Sequence, residues 1–595
     1  MTRNSLLPQS PDASGEPFDI VLVTGDAYVD HPAFGAAIIG RHLESLGYRV
    51  GILAQPAWKD AAEFRRLGRP RLFFGVTAGN LDSMVANYTP DRRHRASDAY
   101  SPGGKPGRRP DLATVVYAQR CREAFPGVPI VLGGIEASLR RLSHYDFVQQ
   151  KVRGSVLADA KADVLVYGMG ERAVEALARH YADGGEAEAL RTISGIAYLS
   201  SVAPEGAALL PSAETAAKDP DGFFEFFRAF REASLKPSPP VLAQPHGKRW
   251  VVVNPPARPL SPQELDAVYR LPFTRAFPAQ YGREGGIPAL ETVRTSVVAH
   301  RGCSGGCAFC ALGAHQGRMV VSRPAEGIVD EVRRLAARPD FKGTIQDVGG
   351  PTANMYGSRC GRAGEEGQPG CSRASCLYPR ICSHLEASGE PFRRLLSEVR
   401  RVPGVRHVFV ASGLRHDLLI LPAQRGLFRD LVLHHVGGRM KVAPEHVAPC
   451  ALRRMGKPAP AAFEEFLRQF DALRREGGQD LQVVPYLIAG HPGTEMEDAL
   501  ALSRFVLERL GGGVEQAQQF TPTPMTAATC MFVTGRDPAD GETVHVPSGA
   551  EAKVQKALLD LSSPRNAEKV AAHFRRIGRM DLVSGITKRS DRRKG

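Results

Sequence analysis

The sequence predicts an α/β protein: a doubly wound parallel sheet, then a partial six-stranded β/α barrel, then a small C-terminal extension. Three observations predict it. Buried-strand and amphipathic-helix patterns alternate over residues 17–235, a proline-laden stretch interrupts them over 236–290, and the alternation resumes over 291–535. Residues 1–16 are polar and proline-bearing and read as disordered, and 536–595 read as an extension with a basic tail.

The N-terminal region opens on "FDIVLVTG", an apolar run ending in Gly25. "HPAFGAAIIGRHLESLGYRV" follows as an amphipathic helix closed by Gly47, leading into the strand "YRVGILAQ". Further strands are expected at "LFFGVTAG", "VPIVLGGIEAS" and "ADVLVYGMGE". In such sheets ligands bind beyond the carboxyl ends of strands, where Gly133–Gly134 and Gly168–Glu171 fall. The same glycines equally suit tight turns. Between these strands, "NYTPDRRHRASDAYSPGGKPGRRPD" (Asn87–Asp111) is long, basic and aromatic-bearing. A loop of that length is either functional or a solvated surface loop. "KPSPPVLAQPHGKRWVVVNPPARPLSP" (Lys236–Pro262) reads as a linker or wrapping segment.

Beyond it, strands are expected in "TVRTSVVAH", "GTIQDVGG", "HVFVASG", "GRMKVAPEH", "LQVVPYLIAGHPG" and "EQAQQFTPTP". Helices such as "RPAEGIVDEVRRLAAR" and "PAAFEEFLRQFDALRREG" lie between them, which places a site at the C-terminal strand ends. "SSPRNAEKVAAHFRRIGR" reads as a capped helix with Pro564 in its first turn and Ala567, Val570, Ala571, Phe574 and Ile577 on one face.

Composition sets the class. The chain has 595 residues, 43% hydrophobic and 24% charged, with no apolar run long enough for a membrane span. No secretory leader is recognisable, so a cytoplasmic setting is expected. The net charge of +14 would attract polyanions, and RNA is a possible partner. Seven of the ten cysteines fall between Cys303 and Cys382, which suits metal binding in a reducing compartment better than disulfides.

Cys303, Cys307 and Cys310 form C-x3-C-x2-C directly after the first barrel strand. Soft thiolates favour iron–sulfur clusters or zinc. A structural zinc would want a fourth ligand, with His300 or His315 at hand, whereas three cysteines can hold three irons of a [4Fe–4S] cubane and leave one iron open. Gly302, Gly305 and Gly306 let the backbone wrap such a group, and Phe309 can shield it. A second group, Cys360, Cys371, Cys376 and Cys382, lies in a Cys-rich insertion over 358–384 and could close a zinc site or a second [4Fe–4S] cluster. Cys121, Cys450 and Cys530 read as ordinary thiols.

The pattern C-x3-C-x-F-C after a first strand resembles the signature of the radical S-adenosylmethionine (SAM) superfamily, with Phe309 on its aromatic position. That resemblance implies an open iron that chelates SAM. Reductive cleavage then releases methionine and a 5′-deoxyadenosyl radical that abstracts hydrogen from a substrate, the electron coming from a reductant such as flavodoxin or ferredoxin. "DVGGP" is similar to the family's Gly-Gly-Glu motif, so Gly349 and Gly350 carry over while Pro351 replaces the carboxylate. "VASGLR" resembles the strand whose Ser412 and Arg415 would meet SAM. "KVAPEH", with Glu445, and "AGHPGTEMED" resemble later strand-end motifs near adenosine. Over nearly the whole chain, "DSMVANYTPDRRHRASDAYSPGG", "GGIEASLRR", "ADVLVYGMGER", "DVGGPTANMY" and "MKVAPEH" resemble the YgiQ (UPF0313-type) family, a resemblance that carries a mechanism class without a substrate. The N-terminal region also resembles cobalamin-binding domains, although "DAYVDHPAFG" places His31 and Gly35 off the base-off D-x-H-x-x-G spacing. A cobalamin-dependent radical SAM enzyme and a zinc-stabilised nucleic-acid-binding protein are the alternative readings.

Overall fold

A computed structural model describes residues 5–11, 15–364, 367–510 and 514–583. The basic tail lies outside them. The chain divides into two compact units: residues 1–298 with 311–327 and 362–372, and residues 299–310, 328–361 and 373–595.

The first unit is built on nine strands: β1 Ile20–Thr24, β2 Val50–Ala54, β3 Phe73–Thr77, β4 Ile130–Gly133, β5 Val164–Val166, β6 Ile196–Ser200, β7 Ala208–Leu209, β8 Leu242–His246 and β9 Arg249–Val253. Their order is β2-β1-β3-β4-β5-β6-β9-β8-β7, parallel through β5 and then antiparallel at β6, β9 and β8. The 2-1-3-4-5 core is a doubly wound order whose switch point lies between β1 and β3. The expected first helix spans Gly35–Ser45, and Gly47 follows it with φ +94°. That helix and Glu171–Ala182 close one face over Ile20, Leu22, Val50, Ile52 and Val164.

Two sequence expectations fail here. Residues 1–16 are not uniformly disordered: Leu7 is 1% exposed in the main core, and Ile52 N–H donates to Pro8 O at 2.8 Å. Gly40 makes room for it, since a Cβ there would lie 2.5 Å from Leu7 Cδ1. Nor is 236–290 a linker. Its apolar segments form the β8–β9 hairpin, which extends the sheet, and Ser261 caps the helix Pro262–Tyr269 with a full capping box. The prolines bound these elements instead of preventing them.

The second unit carries the barrel-like rhythm. Ala299 N–H donates to Gly349 O, and β10 Thr344–Ile345 pairs in parallel with β11 His407–Val408. Leu414 bridges in parallel to β12 Arg439–Glu445, which pairs with β13 Gln482–Ala489, and that strand with β14 Gln516–Gln519. The helices Glu390–Arg400, Pro460–Glu476 and Met496–Arg509 occupy the intervals. The C-terminal helices Gly549–Ala557 and Pro564–Arg576 pack on Met496–Arg509 through Val554, Leu558, Val570 and Phe574. Their buried stripe is narrower than expected, for Ile577 is exposed, and Ser563 makes no side-chain cap. No helix among the described residues is long and apolar enough to cross a membrane.

Candidate active site

Successive strands of the second unit end on one set of residues. The loop Cys303–Cys310 follows the first strand, and Gly349–Gly350 closes the second. Ser412 and Arg415 come after the third, Glu445 ends the fourth, and His491 follows the fifth. All lie at carboxyl ends, as the sequence pattern requires of a β/α site.

The cysteine loop is held by other backbone segments. Ala308 N–H donates to Met455 O and Ala528 N–H to Ala308 O, each at 2.9 Å, while Cys376 N–H donates to Ser304 O. Ser375 Oγ donates to Gly305 O at 2.7 Å. Gly306 has φ +60°, and a Cβ on it would lie 2.2 Å from Ala374 O, so only glycine fits this turn. Cys303, Cys307 and Cys310 are half-buried and form no disulfide. Cys303 Sγ lies 3.5 Å from Thr352 Oγ1 and 3.9 Å from Met355 Sδ. Phe309 packs with Met455, Ile488, Phe520 and Met531, edge-on to His491.

Arg415 is buried, and its Nη1 donates toward Cys307 Sγ at 3.5 Å while Nε and Nη2 pair with both oxygens of Asp417. Burial works against its charge, but Asp417 raises its pKa above the ordinary arginine value. Burial would raise Asp417, yet the Arg415 guanidinium holds it down to about 2. Asn354 clamps the Arg415 backbone, accepting from its N–H and donating to its carbonyl. Arg415 therefore faces Cys307, and Ser412 is likewise engaged: its Oγ donates to Asp347, whose other oxygen accepts the Ala411 and Ser412 N–H groups. Burial raises Asp347. A Cβ on Gly349 would lie 2.2 Å from Ser412 Oγ, and one on Gly350 2.5 Å from the His300 ring. Glu445, at φ +69°, is buried with Lys457 Nζ 3.8 Å from Oε1, and burial raises its pKa against the pull of Lys457 and Arg415.

Asp347, Asn354, Asp417, Lys457 and His491 join the site only through the fold. Asp347, Asn354 and His491 lie within quoted motifs and Asp417 just after one, whereas Lys457 carries no such signal. His491 is fully buried and neutral, lowered to about 4 by burial, with Nδ1–H on Pro492 O and Nε2 without a hydrogen-bond partner among the described residues.

Of the second cysteine group, three members share this unit. Cys360 pairs opposite Leu385, Leu385 N–H donates to Cys382 O, and Cys382 N–H donates to Cys376 O at 2.7 Å. Cys371 belongs to the first unit, where its carbonyl accepts from Arg318. Among the described residues, no three His, Cys, Asp or Glu side chains converge as they would around a single metal ion.

Comparison with known proteins decides the family. The description "Radical SAM superfamily" matches residues 297–506 and "Radical SAM N-terminal" residues 10–296; a domain of unknown function, DUF3362, matches 515–590. A UPF0313 protein of Methanosarcina mazei is 43% identical over 99% of both chains. The chain belongs to the UPF0313 radical SAM family. Another UPF0313 protein, from Geobacter sulfurreducens, is 48% identical over 98% of this chain and 95% of its own. Among solved structures, the radical SAM methyltransferase TsrM of Kitasatospora setae, with cobalamin and a [4Fe–4S] cluster bound, is similar at TM-score 0.50 and 17% identity. That likeness covers 87% of this UPF0313 chain and 76% of the methyltransferase, and it concerns the fold.

Proposed function

We propose that the protein is an iron–sulfur enzyme that cleaves SAM reductively, with Cys303, Cys307 and Cys310 as the three cluster ligands. The observation that carries this reading is the loop itself: three half-buried thiols, none in a disulfide, on a glycine-bearing turn at the carboxyl end of the first barrel strand. The residues suit the group. The missing side chain of Gly305 leaves Cys303 Sγ and Cys307 Sγ facing one space, at 3.3 and 3.8 Å from where its Cβ would stand. When bound, the cluster supplies the electron that breaks the sulfonium bond of SAM.

Around it the chain binds, orients and excludes water. Gly349 and Gly350 bring bare backbone to the second strand end, where the SAM amino group would lie. Phe309, edge-on to His491, forms an apolar wall for adenosine. Glu445 would meet the ribose from the end of β12. Ser412 and Arg415, which would meet SAM, have second contacts: Ser412 fixes the third strand end through Asp347, and Arg415 places positive charge against Cys307. Cys360, Cys376 and Cys382 are further proposed as ligands of a second [4Fe–4S] cluster. A flavodoxin- or ferredoxin-type reductant would serve the first.

The test is direct. Replacing Cys303, Cys307 and Cys310 together with Ala is expected to abolish 5′-deoxyadenosine formation from SAM and dithionite. Unchanged formation in the triple variant would remove the assignment.

A further inference from the structure

The first unit has the strand order in which a doubly wound domain takes its ligand between the carboxyl ends of β1 and β3. In this chain the place is taken by residues 98–109, the second half of the long Asn87–Asp111 loop. Ala27 N–H, just past β1, donates to Tyr100 O at 3.0 Å. Arg109 enters the crevice: its Nε donates to Gly25 O at 3.1 Å, and its Nη2 to Asp26 Oδ1 at 2.7 Å and Asp98 Oδ2 at 3.2 Å. Asp26 also accepts from Asn80 N–H, beyond β3, at 2.7 Å. Gln55, after β2, donates to both Gly25 O and Ser101 Oγ, and Ser101 Oγ in turn donates to Asp98.

The strand ends do not splay. A Cβ on Gly25 would lie 2.4 Å from Ala78 O, and one on Gly79 2.1 Å from Asp26 Oδ1. Arg109 is 2% exposed, Asp26 3% and Ser101 0%. Arg109 Nη1 has no hydrogen-bond partner among the described residues and is itself enclosed by protein. From outside, the segment is pinned by Gly103 N–H on Gly286 O, by Ala289 N–H on Ala99 O, and by Tyr100 edge-on to Phe34. His31, the one histidine near the base-off spacing, is 1% exposed, with Arg275 Nη1 2.9 Å from its Nε2.

We infer that the UPF0313 chain takes no corrinoid on its N-terminal sheet, because its own strap, residues 98–109, stands where the fold would bind one and Arg109 supplies the contacts a ligand would make. An arginine shared by two buried carboxylates and a strand-end carbonyl ties the crevice shut, and admitting a guest would leave Asp26 and Asp98 buried without their cation. The cobalamin-binding resemblance of this region is then one of strand order alone. The self-filled crevice is a property of the first unit, whatever the second unit catalyses.

The full-length, cluster-reconstituted protein is incubated anaerobically with excess hydroxocobalamin, desalted, and its corrin absorption measured. Less than about a tenth of an equivalent should remain. In parallel, hydrogen exchange is followed at the amides of Ala27, Asn80, Ser101 and Gly104 with and without hydroxocobalamin, and their protection should be unchanged. Retention of about one equivalent per chain overturns the inference. So does a corrinoid-dependent loss of protection in the strap, which would show a lid that the ligand displaces.

Discussion

Arg415 shows what one side chain can change. Its guanidinium sits 3.5 Å from Cys307 Sγ, is held planar by the two oxygens of Asp417, and has its backbone clamped by Asn354. If Cys307 is the cluster ligand proposed above, a buried positive charge and an N–H···S contact beside it both favour the reduced state, because reduction adds negative charge there. Arg415→Met is therefore expected to lower the midpoint potential of the reconstituted cluster, read by electron paramagnetic resonance during a redox titration, with Arg415→Lys falling between. A merely structural Arg415 would leave the potential where it is. Asp417 would lose its partner in either variant, so about 3–5 kcal/mol of stability is also at risk in Arg415→Met.

Whole segments change their meaning between sequence and fold. The N-terminal stretch reads as polar and irregular, yet Leu7 fills a space that Gly40 leaves against Leu22 and Ile52. Leu7→Ala is expected to destabilise the first unit by about 2–4 kcal/mol in denaturant unfolding, through lost transfer energy and the cavity left behind. A change below about 0.5 kcal/mol would mean that the segment is loose in solution. The Cys-rich insertion is the other segment of this kind. Backbone bonds link Cys382 to Cys376 and Leu385 to Cys382, with Cys360 paired opposite Leu385, so three thiols hang on one short folded piece. With the first three ligands replaced by Ala, anaerobic reconstitution should still load about four irons per chain, counting one cubane. One zinc and almost no iron would overturn the second cluster.

Across the molecule, buried neutral histidines tie stability to pH. His435 and His446 in the second unit are each lowered to about 4 by burial, and burial lowers His31 and His144 in the first unit well below the ordinary value. An unfolded histidine takes its proton near pH 6.5, so each contributes stability that is complete above that pH and lost as pH falls toward 4. For His435 and His446 the loss amounts to about 2 kcal/mol each by pH 5. The urea midpoint should fall markedly between pH 7 and pH 5, and an unchanged midpoint would show that these rings are hydrated in solution. At the same scale, many arginines are already paired on the surface, as in Arg66–Glu63 and Arg172–Glu264. Such exposed pairs contribute little stability.

Local patterns in the chain mark most of the elements and the candidate site. Gly47 after an amphipathic run, apolar strand runs ending in glycine, and C-x3-C-x2-C behind the first barrel strand are local patterns. Their physical causes, helix periodicity, left-handed turns and thiolate spacing, act within a few residues. What the tertiary structure decided involves partners far apart in the chain. Leu7 meets Gly40 and Ile52, and the 242–253 hairpin finds a sheet edge instead of solvent. Ser412 turns to Asp347, Arg415 to Cys307, and Cys371 joins the first unit while Cys360, Cys376 and Cys382 stay in the second. Arg109 reaches back 83 residues to Asp26. A charge pattern along the chain cannot show which carboxylates an arginine will meet, because that choice is made by burial: a cation removed from water must find its anions wherever the folded backbone has placed them.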